Sequence, residues 1–430
     1  MARRLSVTLA FLGHVLRDVA GTLAARLRRR YRQVVLGEET LAIGVDIFPF
    51  FERMTGVGWY EWNLLARLPH VDPAIDLRLY AHTFAAPDEP VPPPLPTDLR
   101  TRFRFHHIPD GFILPIRGTL TVLRAAVEPL LLFLDGNDVF FAPNFFVPRR
   151  HLAAVRALVP TVHDLAFLRL PGTVQRETLD GLRRHLPGVL HEADALIAVS
   201  GATAADLTAL AGVTPRRIHV IHEGVDPAFA ASDAARPADL PTRYLLFVST
   251  LEPRKNVVNL LEAFALAAAD GYPGDLVLVG RWGWRTEAAQ EALGLSPVRD
   301  RIRHLDYLDR ATLSSVMRNA EALVFPSLLE GFGLPVVEAM ACGIPVVVSR
   351  ATSLPEVAGD AALYVDHSSP AEIAAAVMRL ARDPLLARSL AAAGRERAAL
   401  FSWDESARAS AAVLRRAAGL PGRFADAYRV

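Results

Sequence analysis

Short apolar runs alternate with longer segments of helical periodicity along most of the chain. In the first block, strand-like runs cover residues 41–48, 75–80, 139–143, 158–164 and 195–200. Segments with a helical pattern cover residues 59–68, 175–190 and 203–210. This alternation predicts parallel strands joined by crossover helices.

A second block with the same alternation follows residues 233–241, whose Ala, Asp and Pro residues suit a linker. Its strand-like runs cover residues 244–250, 275–280, 302–305, 322–327, 344–349 and 362–366. Residues 371–399 and 404–418 are helix-like, as are segments after residues 250 and 305. Two such blocks predict two doubly wound α/β domains, which bind ligands at the carboxyl ends of their strands.

The first 35 or so residues have a different pattern, because eight arginines face only one acid, Asp18. The arginines are Arg3, Arg4, Arg17, Arg26, Arg28, Arg29, Arg30 and Arg32. Leucines recur three, four or seven residues apart, which indicates a partly amphipathic helix. The segment suits a basic helix on anionic lipid, a solvated extension, or a signal peptide or wrongly assigned start. Charged residues inside the apolar stretch disfavour the signal peptide.

Composition narrows the class of protein. The chain has 430 residues, 51% hydrophobic and 22% charged, so large cores are expected and a disordered or fibrous chain is excluded. Lys+Arg number 47 and Asp+Glu 46, so no global basic excess favours nucleic acid. The single cysteine, Cys342, excludes an internal disulfide and fits a reducing compartment. No apolar run reaches the roughly 18–20 residues of a membrane span, and residues 127–133 suit a buried element instead.

The segment FPSLLEGFGLPVVEAMACGIPVV runs from a strand through a loop to a helix and a second strand. Gly331 and Gly333 allow close approach of the backbone to a ligand, and free N–H groups at the helix start favour a phosphate. Glu330 faces the loop, while Glu338 lies where a carboxylate can accept hydrogen bonds from a ribose diol. Alternatively, Glu338 only complements the helix dipole and the glycines form a tight turn.

Two further strand ends carry polar residues. Arg254 and Lys255 lie between a strand and a helix, where adjacent cations can neutralise a diphosphate leaving group. A solvated pair in a loop is the alternative. His163 ends another strand and could contact a substrate hydroxyl or transfer a proton, although a structural histidine is an equal alternative.

Other motifs are weak or missing. Gly56 and Gly58 open a helix after the first strand, but Glu61 stands where a dinucleotide fingerprint has its third glycine. The sequence has no Asp-x-Asp pair, no Walker loop, no HExxH and no Gly-x-Ser-x-Gly. Metal catalysis therefore has no support from the sequence.

Taken together, these segments resemble the group 1 family of retaining glycosyltransferases, which have the GT-B fold and use nucleotide-diphosphate sugars. The family's pattern of two glutamates separated by seven residues stands here as Glu330 and Glu338. VSTLEPRKN, TVHDLAFLRLP, IHEGVD and TGVGWY also match family patterns. The resemblance covers roughly residues 41–418 and is greatest to mannosyltransferase-like members of polysaccharide pathways.

The resemblance implies an α/β GT-B fold, in which two doubly wound Rossmann-like domains face each other across a cleft. The predicted division is a basic extension with possible membrane contact over residues 1–40, an acceptor domain over 41–240, a nucleotide-sugar domain over 241–403 and a C-terminal helix over 404–430. The helix is expected to pack back toward the first domain.

By position, Glu338 would bind the ribose and Glu330 the hydroxyls of the donor sugar. Arg254 and Lys255 would hold the diphosphate, and His163 would contact the sugar near the reacting carbon. The resemblance assigns catalysis to His163, Arg254, Lys255 and Glu330, and donor binding to Gly56, Arg254, Lys255, Glu330, Gly331, Phe332, Gly333, Leu334 and Glu338. Many members carry Gly-Arg where this chain has Ser249-Thr250, so one phosphate-binding arginine is missing.

The implied activity is metal-independent transfer of a hexose with retention, and GDP-mannose is the candidate donor. No cofactor and no nucleic acid are expected. The acceptor would be a glycan or a lipid-linked molecule, and the location the cytoplasm or the inner face of the cell membrane. The alternatives are another GT-B nucleotide-sugar enzyme such as an epimerase, a nucleotide-binding oxidoreductase, and an inactive partner protein.

Overall fold

The computed structural model describes residues 20–24, 26–47, 50, 54–83, 104–109, 132–145, 147, 155–230 and 239–420. Residues 20–24 and 26–35 are helical. The proline-rich stretch at 87–96, most of the expected linker and the first 19 residues lie outside the described part of the chain. No helix of the described part is both long enough and apolar enough to span a bilayer.

The first domain is built on a parallel sheet of seven strands in the order β3-β2-β1-β4-β5-β6-β7. The strands are β1 (Leu41–Asp46), β2 (Ile75–Thr83), β3 (Arg104–Pro109), β4 (Val139–Ala142), β5 (Leu158–Val162), β6 (Leu196–Ala198) and β7 (Ile218–Val220). The helices are α1 (Gly56–Val71), α2 (Ala166–Arg169), α3 (Arg176–Glu192) and α4 (Gly201–Ala211). Short 3₁₀ turns cover Pro171–Thr173, Pro215–Arg217 and Pro227–Phe229.

The second domain has a parallel sheet of six strands in the order β10-β9-β8-β11-β12-β13. The strands are β8 (Tyr244–Val248), β9 (Asp275–Val279), β10 (Ile302–Leu305), β11 (Ala322–Phe325), β12 (Val346–Ser349) and β13 (Ala362–Val365). The helices are α5 (Val257–Ala269), α6 (Glu287–Leu295), α7 (Arg310–Arg318), α8 (Leu334–Cys342), α9 (Leu354–Ala358), α10 (Pro370–Arg382), α11 (Pro384–Ala398) and α12 (Trp403–Ala417). Short 3₁₀ turns cover Pro253–Lys255 and Arg299–Arg301.

Two parallel sheets confirm the fold class expected from the two alternating blocks. Apolar strands covered on both faces explain the near-continuous runs, since every residue of β4, β5, β8 and β11 is buried. Of the stretch 127–133, which was expected to be buried, only Leu132 and Phe133 lie in the described part of the chain. Leu132 is buried as expected, whereas Phe133 is 62% exposed.

The helical stretch expected over residues 371–399 is two helices, α10 and α11. Asp383 separates them, and its carboxylate accepts hydrogen bonds from the N–H groups of Leu385 and Leu386. Pro384 follows as the first residue of α11, where a missing N–H has no cost. A capping acid and a proline therefore end one helix and begin the next.

Helix α12 leaves the second domain and packs against α1 of the first. Its Arg415 is fully buried and donates to Asp72 Oδ2 at 2.9 Å and also to Glu39. At Gly224, a Cβ atom would lie 2.2 Å from the backbone nitrogen of Trp403, so the chain before α12 also lies tightly against the first domain. Burial of both charges of the Arg415–Asp72 pair makes this contact sensitive to the loss of either partner.

We expect Arg415→Ala to lower the free energy of unfolding by about 3–5 kcal/mol, because the buried carboxylate of Asp72 loses its cation. Arg408→Ala is the matched control in the same helix, since Arg408 forms an exposed ion pair with Glu405 and its loss should cost less than about 1 kcal/mol. Urea denaturation of both variants measures the difference. Equal losses would contradict a special role for Arg415.

Candidate functional site

The predicted site residues lie at the carboxyl ends of strands in both domains, where the two sheets face each other. His163 follows β5, Lys255 follows β8, and Glu330 follows β11. The domains touch at Gly331, where a Cβ atom would lie 1.9 Å from the carbonyl oxygen of His163. Ser200 Oγ also donates to the carbonyl of Gly331 at 2.6 Å. Only glycine therefore fits where the loop of the second domain meets the first.

A buried ion pair lies at the centre of this junction. Lys255 Nζ donates to Glu330 Oε1 at 2.6 Å, and both side chains are buried. The ammonium also lies 5.4 Å from the ring centroid of Phe325. Burial, followed by the charge of Arg254, lowers the pKa of Lys255, and Glu330 opposes this shift. The charges of Lys255 and Glu330 therefore balance each other, but burial leaves both with little contact with water.

Arg254 holds together three carboxylates. Its Nε is 2.5 Å from Glu252 Oε1, and its Nη1 is 3.5 Å from Glu330 Oε2 and 4.0 Å from Asp164 Oδ2. Burial opposes the charge of Arg254, but Glu330, Asp164 and Glu252 outweigh it and hold its pKa above the ordinary value. Burial raises the pKa of Glu252, whose Oε2 has no hydrogen-bond partner among the described residues. The site therefore contains two cations and three carboxylates.

Sequence reasoning did not single out Glu252, although it lies two residues before Arg254 in the quoted segment VSTLEPRKN. In a sequence, a glutamate in a Pro-flanked loop looks like a solvated residue. Its burial follows from tertiary packing, which no local pattern encodes.

The start of α8 is available to an anion. Gly333 has a φ of 110°, which favours glycine, and no side chain caps the helix at its amino terminus. Ser353 Oγ donates to the carbonyls of Phe332 at 2.8 Å and Glu330 at 3.1 Å, so the loop before the helix is fixed from behind. Pro335 has no N–H and the N–H of Val336 donates to the carbonyl of Gly333 at 2.9 Å, so a phosphate oxygen here would rely on the backbone before them, such as the N–H of Leu334, and on the helix dipole.

Glu338, one turn into α8, accepts a hydrogen bond from Arg310 Nη1 at 2.7 Å. The guanidinium of Arg310 also lies 3.1 Å from Asp226 and packs over the rings of Trp59 at 4.8 Å and Phe229 at 4.5 Å. Trp59 belongs to α1, so Arg310 joins Glu338 to the first domain. Sequence reasoning missed Arg310, because an arginine in the first turn of a helix has no distinctive pattern.

Burial raises the pKa of Glu338 to about 7, although Arg310 lowers it, and Asp226 and Glu223 add to the rise. Near neutral pH, burial therefore disfavours the ionised form of this carboxyl group and Arg310 favours it. A ligand that hydrogen-bonds to the carboxylate favours its ionised form.

His163 already has partners for both ring nitrogens. Nε2 lies 2.8 Å from the carbonyl oxygen of Pro143, and Nδ1 lies 3.4 Å from Glu223 Oε1. The edge of Tyr60 packs on the ring, with centroids 4.8 Å apart. The imidazole is thus oriented by the first domain, and a substrate hydroxyl would have to replace one of its partners. Glu223, which lies in the quoted segment IHEGVD, was not predicted as a site residue.

The remaining predicted residues come together as well. Gly56 is the first residue of α1, and a Cβ atom there would lie 3.9 Å from Leu334 Cδ1 at the start of α8. The Ser249-Thr250 pair lies beside Gly280, where a Cβ atom would lie 1.9 Å from the carbonyl oxygen of Ser249. The structure therefore places the starts of α1 and α8 on facing sides of the cleft.

Two parallel sheets that meet at the carboxyl ends of their strands form the two-domain arrangement of the GT-B fold, with the acid–base pairs and the uncapped helix start at its cleft. The pattern of the family described as "Glycosyl transferases group 1" matches residues 230–397, and that of "Glycosyltransferase Family 4" matches residues 54–229. The chain belongs to the group 1 glycosyltransferases.

Among similar proteins, O-antigen chain mannosyltransferase B of Escherichia coli is 30% identical over 281 residues, which is 63% of this chain and 72% of that protein. The MMP alpha-(1->4)-mannosyltransferase of Mycolicibacterium hassiacum is 35% identical over 227 residues, 52% of this chain and 54% of that protein. Anabaena HepE, solved with UDP and glucose, superposes with a TM-score of 0.65 at 20% identity over 86% of this chain and 97% of its own.

We expect the affinity for a free nucleoside diphosphate to rise as the pH rises through about 7, because a ribose diol donates to the ionised Glu338. Binding then lowers the pKa of Glu338 and releases a proton, so the gain levels off at higher pH. Glu338→Gln should bind more weakly and lose this part of the pH dependence. Calorimetry from pH 6 to pH 8.5 measures the affinity of both proteins. Titration of the ligand phosphate and of histidines affects the native protein and Glu338→Gln equally, so the difference between the two profiles reports on Glu338.

Arg310→Met tests the same assignment from the other partner. Loss of the guanidinium removes the interaction that lowers the pKa of Glu338, so the rise in affinity should move to higher pH. Identical pH profiles in the native protein, Glu338→Gln and Arg310→Met would contradict the assignment of Glu338 to the ribose.

Proposed function

We propose that the protein transfers a sugar from a nucleotide-diphosphate sugar to a glycan or lipid-linked acceptor, with retention of configuration and without a metal ion. One observation carries this proposal: Arg254, Lys255 and Glu330 converge beside the uncapped start of α8. The two relatives are named mannosyltransferases, which supports mannose as the sugar and GDP-mannose as the candidate donor.

The donor would bind by exchange of partners. Lys255 and Arg254 are paired with carboxylates in the ligand-free protein, and diphosphate oxygens can replace those carboxylates as acceptors. Glu330, released from Lys255, would then accept hydrogen bonds from hydroxyls of the donor sugar. Glu338 would exchange Arg310 for the ribose in the same way.

In the proposed reaction, negative charge develops on the leaving group beside Arg254, Lys255 and the start of α8. Departure of the nucleoside diphosphate leaves negative charge on the phosphate and an oxocarbenium-like sugar. Arg254, Lys255 and the start of α8 stabilise the leaving group. The departing phosphate oxygen accepts the proton of the acceptor hydroxyl, which attacks the same face of the sugar, so configuration is retained. His163 would exchange one of its two partners for a sugar hydroxyl near the reacting carbon, and the close fit at Gly331 limits access of water.

A lipid-linked acceptor would bring the enzyme to the inner face of the cell membrane as a peripheral protein. Mannosyltransferase B is named for its action on the O-antigen chain. For this chain, an acceptor of that class and a peripheral location are parts of the same proposal.

The function is tested by incubating the purified protein with a panel of nucleotide sugars and an acceptor mixture. Release of nucleoside diphosphate that depends on the acceptor, together with a labelled product, supports a transferase. Conversion of the donor to an epimer without acceptor would support the alternative GT-B enzyme. No response to any donor would contradict the proposal.

Lys255→Met and Arg254→Met should each lower turnover by roughly 10²- to 10³-fold. Each substitution removes a cation that stabilises the negative charge on the diphosphate leaving group. Arg382→Met is the control, since Arg382 pairs with Asp270 in an exposed ion pair of the same domain and should leave turnover unchanged. Initial rates at saturating donor separate this effect from weaker binding. Wild-type turnover in both site variants would exclude the assignment.

Turnover should also persist in excess EDTA, because protein cations and the helix start neutralise the diphosphate in this proposal. Assays in EDTA, and after titration with Mg²⁺ and Mn²⁺, measure the dependence. Activity that appears only with added divalent ions would overturn the metal-free part and leave the transferase assignment in place.

A further inference from the structure

The N-terminal helix, here residues 26–35, is attached to the first domain by one face. Arg29 donates to the carbonyl of Gly136 at 3.0 Å and pairs with Asp138. Gln33 Nε2 donates to Thr40 Oγ1 at 2.9 Å. These contacts hold the helix against the amino-terminal ends of β1 and β4.

The opposite face of this helix is apolar and exposed. Leu27 is 69% exposed, Tyr31 57%, Val34 75% and Val35 60%. At 3.6 residues per turn, these four side chains fall within an arc of about 100°. A stripe of this width on a surface helix normally faces a protein core. Here the described part of the chain leaves it in solvent, and the exposed Leu23 precedes it.

Basic residues border the stripe on both sides. By the same helical geometry, Arg30 lies about 40° before Val34, and Arg28 lies about 20° beyond Val35. Both arginines are exposed. From the sequence, all eight N-terminal arginines were treated as equivalent. In the structure, Arg29 and Arg26 contact the first domain instead, and Nη1 of Arg26 lies 3.3 Å from the carbonyl oxygen of Leu134. Apolar side chains flanked by exposed cations complement a surface of acyl chains and anionic headgroups.

We propose that the apolar face of residues 26–35 inserts into anionic lipid, with Arg28 and Arg30 at the headgroups. This deepens the proposed peripheral location by naming the surface, and it does not depend on which sugar is transferred. The helix lies at the opposite end of β1 from the cleft, about 20 Å away for a six-residue strand. Lipid contact through this face and donor binding in the cleft therefore involve different surfaces of the first domain.

The full-length protein is sedimented with vesicles of phosphatidylcholine containing about 30% phosphatidylglycerol, and with vesicles of phosphatidylcholine alone. The variant Leu27→Ser/Val34→Ser/Val35→Ser should bind the anionic vesicles about tenfold or more weakly than the native protein. The variant Arg28→Gln/Arg30→Gln should lose a similar factor on anionic vesicles only. Leu295→Ser/Leu385→Ser/Leu400→Ser, which replaces exposed leucines of the second domain, is the control and should bind like the native protein.

A second measurement locates the contact. Leu27→Cys, labelled with a polarity-sensitive fluorophore, should shift to the blue on anionic vesicles, and the native Cys342 is buried. Vesicle binding without this shift would overturn the proposal and place the contact elsewhere, as in residues 1–19. If the native protein is a dimer and the serine variant is a monomer, the apolar face binds a second copy of the chain and the proposal is overturned.

Nucleoside diphosphate release in solution should be the same for the native protein and the serine variant, because the helix is remote from the cleft. Loss of vesicle binding with unchanged release supports the inference. Failure of the proposed reaction in all proteins, with vesicle binding intact, would leave the inference standing and remove only the proposed function.

Discussion

The ion pair between Lys255 and Glu330 is the interaction on which the cleft depends. Two charges buried 2.6 Å apart are expensive to desolvate, and each is tolerated because the other is present. The pair also lies where the strands of the second sheet end and the loop around Gly331 reaches the first domain. A change in the charge of Lys255 or Glu330 would therefore also affect how the loop around Gly331 packs against the first domain.

The same arrangement recurs at Glu338, where Arg310 is the internal partner. In both pairs, a carboxylate that the family resemblance assigns to a hydroxyl of the donor holds a cation in the ligand-free protein. A donor brings hydroxyl groups for the carboxylates and phosphate oxygens for the cations, so each broken pair has a replacement. Pre-formed internal partners keep the side chains oriented and prevent isolated buried charges before the donor arrives.

The sequence predicted the fold and the positions of the motifs well, because both depend on local patterns. Buried parallel strands produce continuous apolar runs, and Gly331 and Gly333 are needed by the backbone itself. The strands β3 and β7 were not predicted. For β7, the reason is that its three residues, which include His219, are all half-buried. Glu252, Glu223, Asp226 and Arg310 were missed for a different reason. Their roles arise from contacts between segments far apart in sequence, as in the 2.7 Å bond from Arg310 to Glu338.

The charge balance of the cleft follows from these partners. Arg254 and Lys255 carry two positive charges, while Asp164, Glu252 and Glu330 carry three negative charges when fully ionised, and Thr250 stands where many family members have a further arginine. A bound diphosphate would deepen this negative excess. Glu252 is sensitive to such a change, because burial raises its pKa and its Oε2 has no partner among the described residues, although its Oε1 lies 2.5 Å from Arg254 Nε. Further negative charge nearby, such as that of a bound diphosphate, would raise that pKa more, so donor binding and the charge of Glu252 are coupled. The arginine that Thr250 replaces would have acted against this negative excess, so in the proposed reaction Arg254 and Lys255 carry the neutralisation of the diphosphate.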